Sequence, residues 1–350
     1  MKVLKFGGTS VASPESLSRV IEIINKNTEP LIIVVSAFGG ITNLLIEMAE
    51  QASQSDSNYK KNLKTIEKIH LNQINFFISI KQQSGVISFL KTKINELEDF
   101  LESLYTLKEL TQKSLSKISS FGEILSSTII YHVLKDSKFD VDIKDTREIL
   151  FTHRINDREV INNKKSADKA SLLLKNKNSK IIILPGFIAQ DEEGNTTTLG
   201  RGGSDYTASL LANYADASIL EIWTDVSGVY TANPKLVNQA QPIDKLSFQE
   251  AMELSHFGAT VIYPPTLQPL IEKNIPLQIK NTFDTSAKGT IINKSNSKNN
   301  ENSIVKGVSH IENVSLVNLE GSGMIGIPGF SKRFFECISE KKINIIMITQ

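Results

Sequence analysis

The chain of 350 residues has one cysteine, Cys337, which excludes an internal disulfide framework and a cysteine-rich metal cluster. It has no apolar run of the roughly 18–20 residues that a membrane-spanning helix needs. Basic and acidic residues number 39 and 38, so the formal charge of +1 lacks the excess that favours broad binding to nucleic acid or to an anionic membrane. Met1–Phe6 is too short, and too soon followed by glycines, for a secretory signal, so we expect a cytoplasmic protein.

Two further kinds of site lack support in the sequence. The five histidines are scattered, and no two stand three or four residues apart beside an acidic partner, which argues against a zinc site and a histidine-based triad. Neither a GxxxxGK(S/T) loop nor a GxGxxG turn follows the first expected strand, so the P-loop and dinucleotide fingerprints are missing. We therefore expect no metal site built from the chain's own side chains.

What the sequence does contain is an alternation of strand-like and helical segments. Interleaving of this kind predicts an α/β fold with an open, mostly parallel sheet flanked by helices. Ser13 as N-cap and Pro14 as the first helical residue mark the start of the first helix. Strands are expected at 1–6, 31–36, 181–184, 217–223 and 277–279, and further helices at 207–215 and 265–273.

The region Tyr59–Lys113 departs from that alternation. It has no proline and one glycine, Gly85, after which apolar residues recur every three or four positions as far as Leu104. This spacing predicts a helical hairpin inserted into the α/β domain, with a structural role as a packing layer or lid.

Asn293–Ser303 is almost free of apolar residues and is expected to be a linker. The sequence then divides into a large α/β domain over 1–292, the linker over 293–303 and a partial α+β unit over 304–350. In this last unit we expect strands at 304–308, 314–319 and 343–349 and a helix at 330–340. With fewer than about 50 residues, it is smaller than a lone domain usually needs for a stable core.

Glycine-rich turns follow two of the expected strands. Lys5 lies at the end of the first strand, and Gly7-Gly8-Thr9-Ser10 leads into a helix; backbone N–H groups and a helix N-terminus in this arrangement can bind phosphate. A turn without any ligand has the same pattern. A second such turn, Ser36–Asn43, also follows a strand and opens a helix.

The segment Gly200–Asp205 places an arginine between glycines just before an Ala/Leu-rich helix. The guanidinium of Arg201 can bind a carboxylate or phosphate through two hydrogen bonds, so we favour an anion or substrate site. Ser204 or Asp205 could instead serve only as the helix N-cap. Glu123 is expected in the first turn of another helix, where it either meets the helix dipole or faces a ligand amine.

Polar residues also follow the expected strand 217–223, at the end where open α/β sheets bind their ligands. Tyr230 could pack on a nucleotide base and Lys235 could contact a phosphate. An Asx-type turn closed by Asn233-Pro234 explains the same residues equally well without a ligand.

Taken in order, these segments resemble the aspartate kinases of the amino acid kinase fold. The matching stretches are KFGGTSVA at 5–12, SAFGGITN at 36–43, SFGE at 120–123, GRGGSD at 200–205, WTDVSGVY at 223–230 and FGATVIYPPT at 257–266. From Val305 onward the chain looks like the first half of the family's ACT regulatory region, and half a sheet would leave unpaired edges, so we expect a piece of a longer protein. The amino-acid sequence is most similar to the aspartate kinase part of bifunctional aspartokinase–homoserine dehydrogenases.

The resemblance implies an ATP- and Mg²⁺-dependent enzyme that phosphorylates the side-chain carboxylate of L-aspartate, the step that opens lysine, threonine and methionine biosynthesis. It assigns catalytic roles to Lys5 and Asp205, with the carboxylate orienting the lysine. It assigns aspartate binding to Ser36, Thr42, Glu123, Arg201, Gly202, Gly203 and Ser204. It assigns nucleotide binding to Lys5, Phe6, Gly7, Gly8, Thr224, Asp225, Tyr230, Lys235, Thr260 and Val261.

The sequence departs from the family pattern at two places. Thr260 stands where the family usually has a lysine that contacts the nucleotide, and threonine offers a hydroxyl but no charge. Asn233-Pro234 replaces the more common Asp-Pro and keeps a turn-forming residue. The resemblance also implies a homo-oligomer and an amino-acid effector, threonine or lysine. Two alternatives stay open: another amino acid kinase, acting on glutamate or acetylglutamate, and a catalytically weak, amino-acid-binding regulatory protein.

Overall fold

The computed structural model describes residues 1–155, 158–175, 179–258, 262–294, 305–320 and 328–349. Its strands are β1 (Lys2–Phe6), β2 (Leu31–Val35), β3 (Val141–Ile143), β4 (Thr152–Ile155), β5 (Arg158–Ile161), β6 (Ile181–Pro185), β7 (Ile188–Gln190), β8 (Thr196–Thr198), β9 (Ile219–Thr224), β10 (Lys245–Ser247), β11 (Leu277–Asn281) and β12 (Thr290–Asn293). Its helices are α1 (Pro14–Asn25), α2 (Ile41–Ser53), α3 (Tyr59–Phe77), α4 (Ile80–Leu107), α5 (Gln112–Asp136), α6 (Asn163–Lys175), α7 (Gly203–Tyr214), α8 (Phe248–His256), α9 (Leu267–Lys273) and α10 (Phe330–Glu340).

An eight-stranded sheet organises the chain, in the order β10-β12-β11-β9-β1-β2-β6-β3. Among the described strands of this sheet, β11 and β12 pair antiparallel and every other neighbouring pair is parallel. The predicted open, mostly parallel α/β sheet is therefore confirmed. Because β1 lies between β2 and β9, the carboxyl ends of these strands meet at one edge of the sheet.

Two apolar cores cover the two faces of the sheet, since side chains alternate between faces along each strand. Leu4 and Phe6 of β1 pack on one face with α1–α5, whereas Val3 packs on the other face with α6–α9. Lys5 shares the face of Val3, so its side chain reaches toward α7.

The helical insertion is confirmed as α3 and α4, which pack against each other and against α2 and α5. Its longer helix begins at Ile80, five residues before Gly85, so it extends further than the apolar spacing suggested. The start of α1 is also as predicted: the Ser13 hydroxyl accepts the Ser16 N–H, and the Ser16 hydroxyl accepts the Ser13 N–H in return. This reciprocal cap fixes the chain just after the first glycine turn.

The expected boundary and strands near the C-terminus need correction. Asn293, which we expected to open the linker, is the last residue of β12. The helix expected at 330–340 is present as α10, but residues 305–308, 314–319 and 343–349 form no strand in the part of the chain that is described. A strand needs a neighbour that continues its hydrogen bonds along the segment. The Val308 N–H makes one such bond, to the Thr231 carbonyl, and apolar side chains such as Leu316 stay exposed.

Among the described residues, no helix combines the length and the apolar character needed to cross a bilayer.

Candidate active site

The turns after β1, β2 and β6 meet the loop before α7 at the carboxyl edge of the sheet, and there they border a cavity of about 550 Å³. Ligands of open α/β sheets bind at this edge. Of the residues singled out from the sequence, the cavity is lined by Gly8, Ser36, Thr42, Glu123, Arg201, Gly202, Gly203, Ser204 and Asp205. The fold thus brings together four separate stretches of the chain that we expected to bind substrate.

Two helix N-termini contribute to this cavity. Gly40 precedes α2 and Gly202 precedes α7, both with left-handed backbone (φ 83° and 67°), and neither helix has a side-chain cap. Uncapped N–H groups and the positive end of the helix dipole favour an anion. Ser204 and Asp205 lie in the first turn of α7, so the interpretation of either as its N-cap is wrong.

Lys5 and Asp205 form the ion pair expected from the sequence. The Lys5 Nζ atom lies 2.6 Å from Asp205 Oδ1, and the two side chains are 10% and 16% exposed. At this distance the opposite charges attract, and because both side chains are largely buried the carboxylate holds the ammonium beside it. The pair joins the end of β1 to the first turn of α7, so the lysine is held at the edge of the anion-favouring region.

Glu123 lies near the middle of α5, which begins at Gln112 after the N-cap Thr111, so the expected first-turn position is wrong. Its carboxyl group is nevertheless at the cavity wall. The side chain is 3% exposed, and Oε2 has no hydrogen-bond partner among the described residues. Burial raises the pKa of Glu123 to about 8, although a hydrogen bond from the Ala37 backbone favours the charged form. A buried acid with an unused oxygen is suited to an ammonium group.

The first glycine turn is anchored to β9. The Gly7 N–H donates to the Trp223 carbonyl at 3.0 Å, and a Cβ on Gly8 would lie 2.9 Å from the Ala37 carbonyl, too close for any other residue. The N–H groups of Gly8 and Thr9 have no hydrogen-bond partner among the described residues. Gly8 also lines the cavity, so this turn presents free donors where a phosphate could bind.

The expected nucleotide residues are only partly brought together. Thr224 is the last residue of β9 and Asp225 follows it, next to the Trp223 carbonyl that holds the glycine turn, whereas Lys235 is exposed on the loop beyond. Asn233 forms the Asx turn, since its side-chain oxygen accepts the Lys235 N–H at 3.0 Å. Tyr230 pairs with Pro242 in an isolated bridge. None of these residues lines the cavity, and Thr260 and Val261 lie outside the described residues.

The Phe6 side chain is completely buried and its ring centroid lies 6.4 Å from that of Trp223, so this side chain supports the site from within the core. Nucleotide binding by Phe6 stays a prediction.

Sequence reasoning missed Phe187 and Thr282 and gave no role to the Ser10 side chain. Phe187 lines the cavity with a left-handed backbone (φ 69°), a strained state for an aromatic residue. Ser10 and Thr282, which are 272 positions apart, form a hydrogen bond behind the glycine turn. Ser10 stood within a singled-out motif, but nothing in the local sequence around Thr282 indicated this contact.

Comparison with known proteins gives two family matches. Residues 1–281 match the amino acid kinase family, and residues 317–350 match an ACT domain.

Individual relatives fall into two groups. A bifunctional aspartokinase/homoserine dehydrogenase from Haemophilus influenzae is 36% identical over 100% of this chain and 43% of that protein. The lysine-sensitive aspartokinase 3 of Escherichia coli K12 is 32% identical over 99% of this chain and 75% of that protein. The chain therefore spans about two fifths of the length of the bifunctional relatives.

A solved structure matches over the whole chain. The crystal structure of E. coli aspartokinase III in complex with aspartate and ADP has a TM-score of 0.85 and 28% identity, and it covers 100% of this chain and 76% of that one.

Proposed function

The chain belongs to the amino acid kinase family and, within it, to the aspartokinases, and from that premise we propose that it transfers the γ-phosphoryl group of ATP to the side-chain carboxylate of L-aspartate. The products are 4-phospho-L-aspartate and ADP. The observation that carries the proposal is that Arg201 and Glu123 line the same cavity. A guanidinium suits a substrate carboxylate, and a buried carboxyl group suits the ammonium of the same free amino acid.

The remaining residues fit the chemistry of the transfer. The nucleophile is the substrate's own carboxylate, which is ionised at pH 7, so no general base is required. Lys5, oriented by Asp205, stabilises the negative charge on the transferring group. The free N–H groups of the glycine turn hold the ATP phosphates, and those of α2 and α7 hold anionic groups of the reactants.

Mg²⁺ fits this site as a companion of ATP. Among the described residues, no group of three or more His, Cys, Asp and Glu could hold a metal ion, whereas Asp205 brings one carboxylate to the cavity. Mg²⁺ commonly binds one or two carboxylates together with substrate phosphates. Asp205 would hold it with the phosphate oxygens, and the ion would offset phosphate charge.

Turnover with a panel of acceptors tests the proposal. ADP release is measured with L-aspartate, L-glutamate and N-acetyl-L-glutamate, and the acyl phosphate is trapped with hydroxylamine. We expect L-aspartate to exceed the other two acceptors by at least about tenfold, because one methylene alone changes discrimination by that order. Preference for glutamate or acetylglutamate would establish a different amino acid kinase. Lys5→Met, which keeps the length of the side chain, serves as the inactive control.

A catalytically weak, amino-acid-binding protein is the second candidate, motivated by Thr260 in place of the expected lysine. Calorimetry with ATP and aspartate, beside the turnover assay, separates the two: binding without turnover supports the weak protein. In that case Thr260→Lys should raise kcat/KM for ATP if charge at this position is what is missing.

The ACT match extends the proposal to regulation. An amino acid, threonine or lysine, acts as effector, and copies of the chain associate through the region that matches an ACT domain. Exposed apolar residues of this region, such as Val317 and Met347, support association. Light scattering after size-exclusion chromatography, and turnover with each amino acid added, test these two points. A domain division by a linker that follows Asn293, and a cytoplasmic location, stay predictions.

A further inference from the structure

Two hydroxyl groups are enclosed behind the first glycine turn. Ser10 and Thr282 are both completely buried, and their oxygens lie 2.8 Å apart. Ser10 Oγ also lies 3.2 Å from the carbonyl oxygen of Trp223. Because a carbonyl can only accept, the Ser10 hydroxyl donates to Trp223. The Thr282 hydroxyl must then donate to Ser10, and this fixes the direction of both hydrogen bonds.

The two hydroxyl hydrogen bonds lead to the Trp223 carbonyl oxygen, which also anchors the glycine turn. The Trp223 carbonyl accepts the Gly7 N–H at 3.0 Å as well as the Ser10 hydroxyl. Thr282 is fixed in turn, since its N–H donates to the Thr224 carbonyl at 2.8 Å. The turn is thereby tied to the carboxyl ends of β9 and β11, and the tie passes through the side chain of Thr282.

We propose that Ser10 and Thr282 are positioning residues that hold the glycine turn so that the N–H groups of Gly8 and Thr9 face the phosphates of a nucleotide. The inference rests on the proposed function for the presence of a nucleotide. Neither hydroxyl touches the ligand, because both are enclosed by protein. They act through the backbone between Gly7 and Ser10, where Ser10 N–H also bonds the Gly7 carbonyl at 3.0 Å.

The location of the pair predicts a selective effect. The aspartate-binding candidates Thr42 and Glu123 belong to α2 and α5, and neither hydroxyl makes a hydrogen bond to these helices. Loss of these hydroxyl hydrogen bonds should therefore weaken binding of nucleotide and leave the KM for aspartate unchanged. A merely structural role would lower thermal stability without separating the two ligands.

Substitutions of one hydroxyl at a time test the proposal in the full chain. Thr282→Val keeps the side-chain shape and removes the hydroxyl that donates to Ser10. Ser10→Ala removes the hydroxyl between Thr282 and the Trp223 carbonyl, and Thr282→Ser keeps the donating hydroxyl. Thr266→Val is the matched control, because Thr266 is also completely buried and its hydroxyl has no partner among the described residues. Each variant is assayed for ADP binding by calorimetry, for the KM of ATP and of aspartate, and for melting temperature.

We expect Thr282→Val and Ser10→Ala each to weaken ADP binding by about tenfold, the scale of one buried hydrogen bond. Thr282→Ser and Thr266→Val should stay within about twofold of the unmodified chain. Should Thr282→Val fail to fold, Ser10→Ala provides the same comparison. Unchanged ADP affinity in a folded Ser10→Ala variant, or an equal rise in the KM of aspartate, overturns the proposal. ADP binding without aspartate turnover in the unmodified chain would instead overturn the proposed function alone.

Discussion

Lys5 and Asp205 face each other across the junction of β1 and α7, with 2.6 Å between Nζ and Oδ1. The lysine is fixed by the strand and the aspartate by the first turn of the helix, so the ammonium has little freedom to leave the edge of the cavity. A charge held in place before the reaction stabilises a transition state without reorganisation.

Asp205→Asn should therefore lower kcat by about tenfold to a hundredfold, since displacement of a catalytic group by an ångström costs that order. The ammonium remains charged, so the loss should be smaller than in Lys5→Met. Asp216→Asn is the matched control: Asp216 pairs with Lys273 at 2.5 Å, but its side chain is 71% exposed. Exposed pairs contribute little, and equal losses in the two variants would contradict the catalytic role of the buried pair.

Binding of aspartate should release a proton through Glu123. Because burial raises its pKa to about 8, Glu123 is mostly protonated in the free protein at pH 7. An ammonium group beside it favours the charged carboxylate, so close to one proton leaves per aspartate bound. Calorimetry in two buffers with different ionisation enthalpies measures that number, and Glu123→Gln should abolish the release. The affinity for aspartate should rise with pH up to about 8 and then level off; a flat profile would contradict this account.

The same group predicts how stability changes with pH. An unfolded glutamate has a pKa of about 4.3, whereas in the folded chain the pKa of Glu123 is about 8. Between these values the folded state binds the proton and the unfolded state does not, so the free energy of unfolding falls as pH rises through this window. Glu123→Gln has no ionising group at this position, so its free energy of unfolding should not fall for this reason. Its melting temperature relative to the unmodified chain should therefore rise between about pH 5 and pH 8; parallel curves would count against burial of an ionising acid.

Arg201 should affect substrate binding without affecting stability, because its side chain is exposed at the mouth of the cavity. Arg201→Ala should raise the KM of aspartate by about a hundredfold or more, and Arg201→Lys should recover only part of the loss, since an ammonium cannot make the paired hydrogen bonds of a guanidinium. Steady-state kinetics and melting temperature together check this. Full recovery by lysine would show that charge alone is needed.

The sequence predicted what local chemistry determines. Ser13 and Pro14 marked the start of α1, and the glycine turns at 7–8 and 39–40 were correctly placed after strands. Glu123 was placed in the wrong turn of its helix, because α5 already begins at Gln112 after the cap Thr111, and a polar run of Ser and Lys residues hid the first turns.

Contacts between distant segments could not be predicted. The bond between Ser10 and Thr282 exists only because β1, β9 and β11 are neighbours in the sheet, and neither short segment specifies that order. The strands expected at 314–319 and 343–349 failed for a related reason: their apolar pattern favours a sheet, but a strand requires a neighbour that the described chain does not provide.

Gly122 and Gly85 allow a test of how α5 supports the substrate turn. Both glycines lie inside helices, where alanine is intrinsically favoured by about 1 kcal/mol. A Cβ on Gly122 would lie 2.8 Å from the Cβ of Ala37 and 3.3 Å from Leu45 Cδ1, whereas a Cβ on Gly85 would meet nothing within 4 Å. Overpacking of a core costs about 1–3 kcal/mol, and the Ala37 Cβ cannot rotate away.

Gly85→Ala should therefore raise the free energy of unfolding by about 0.5–1 kcal/mol, and Gly122→Ala should lower it despite the same gain in helix propensity. Ala37 follows Ser36 in the turn that lines the cavity, so Gly122→Ala should also raise the KM of aspartate. Denaturant unfolding and steady-state kinetics on both variants measure the two effects. A stabilised Gly122→Ala variant with an unchanged KM would mean that α5 and the substrate turn do not pack as closely as the structure shows.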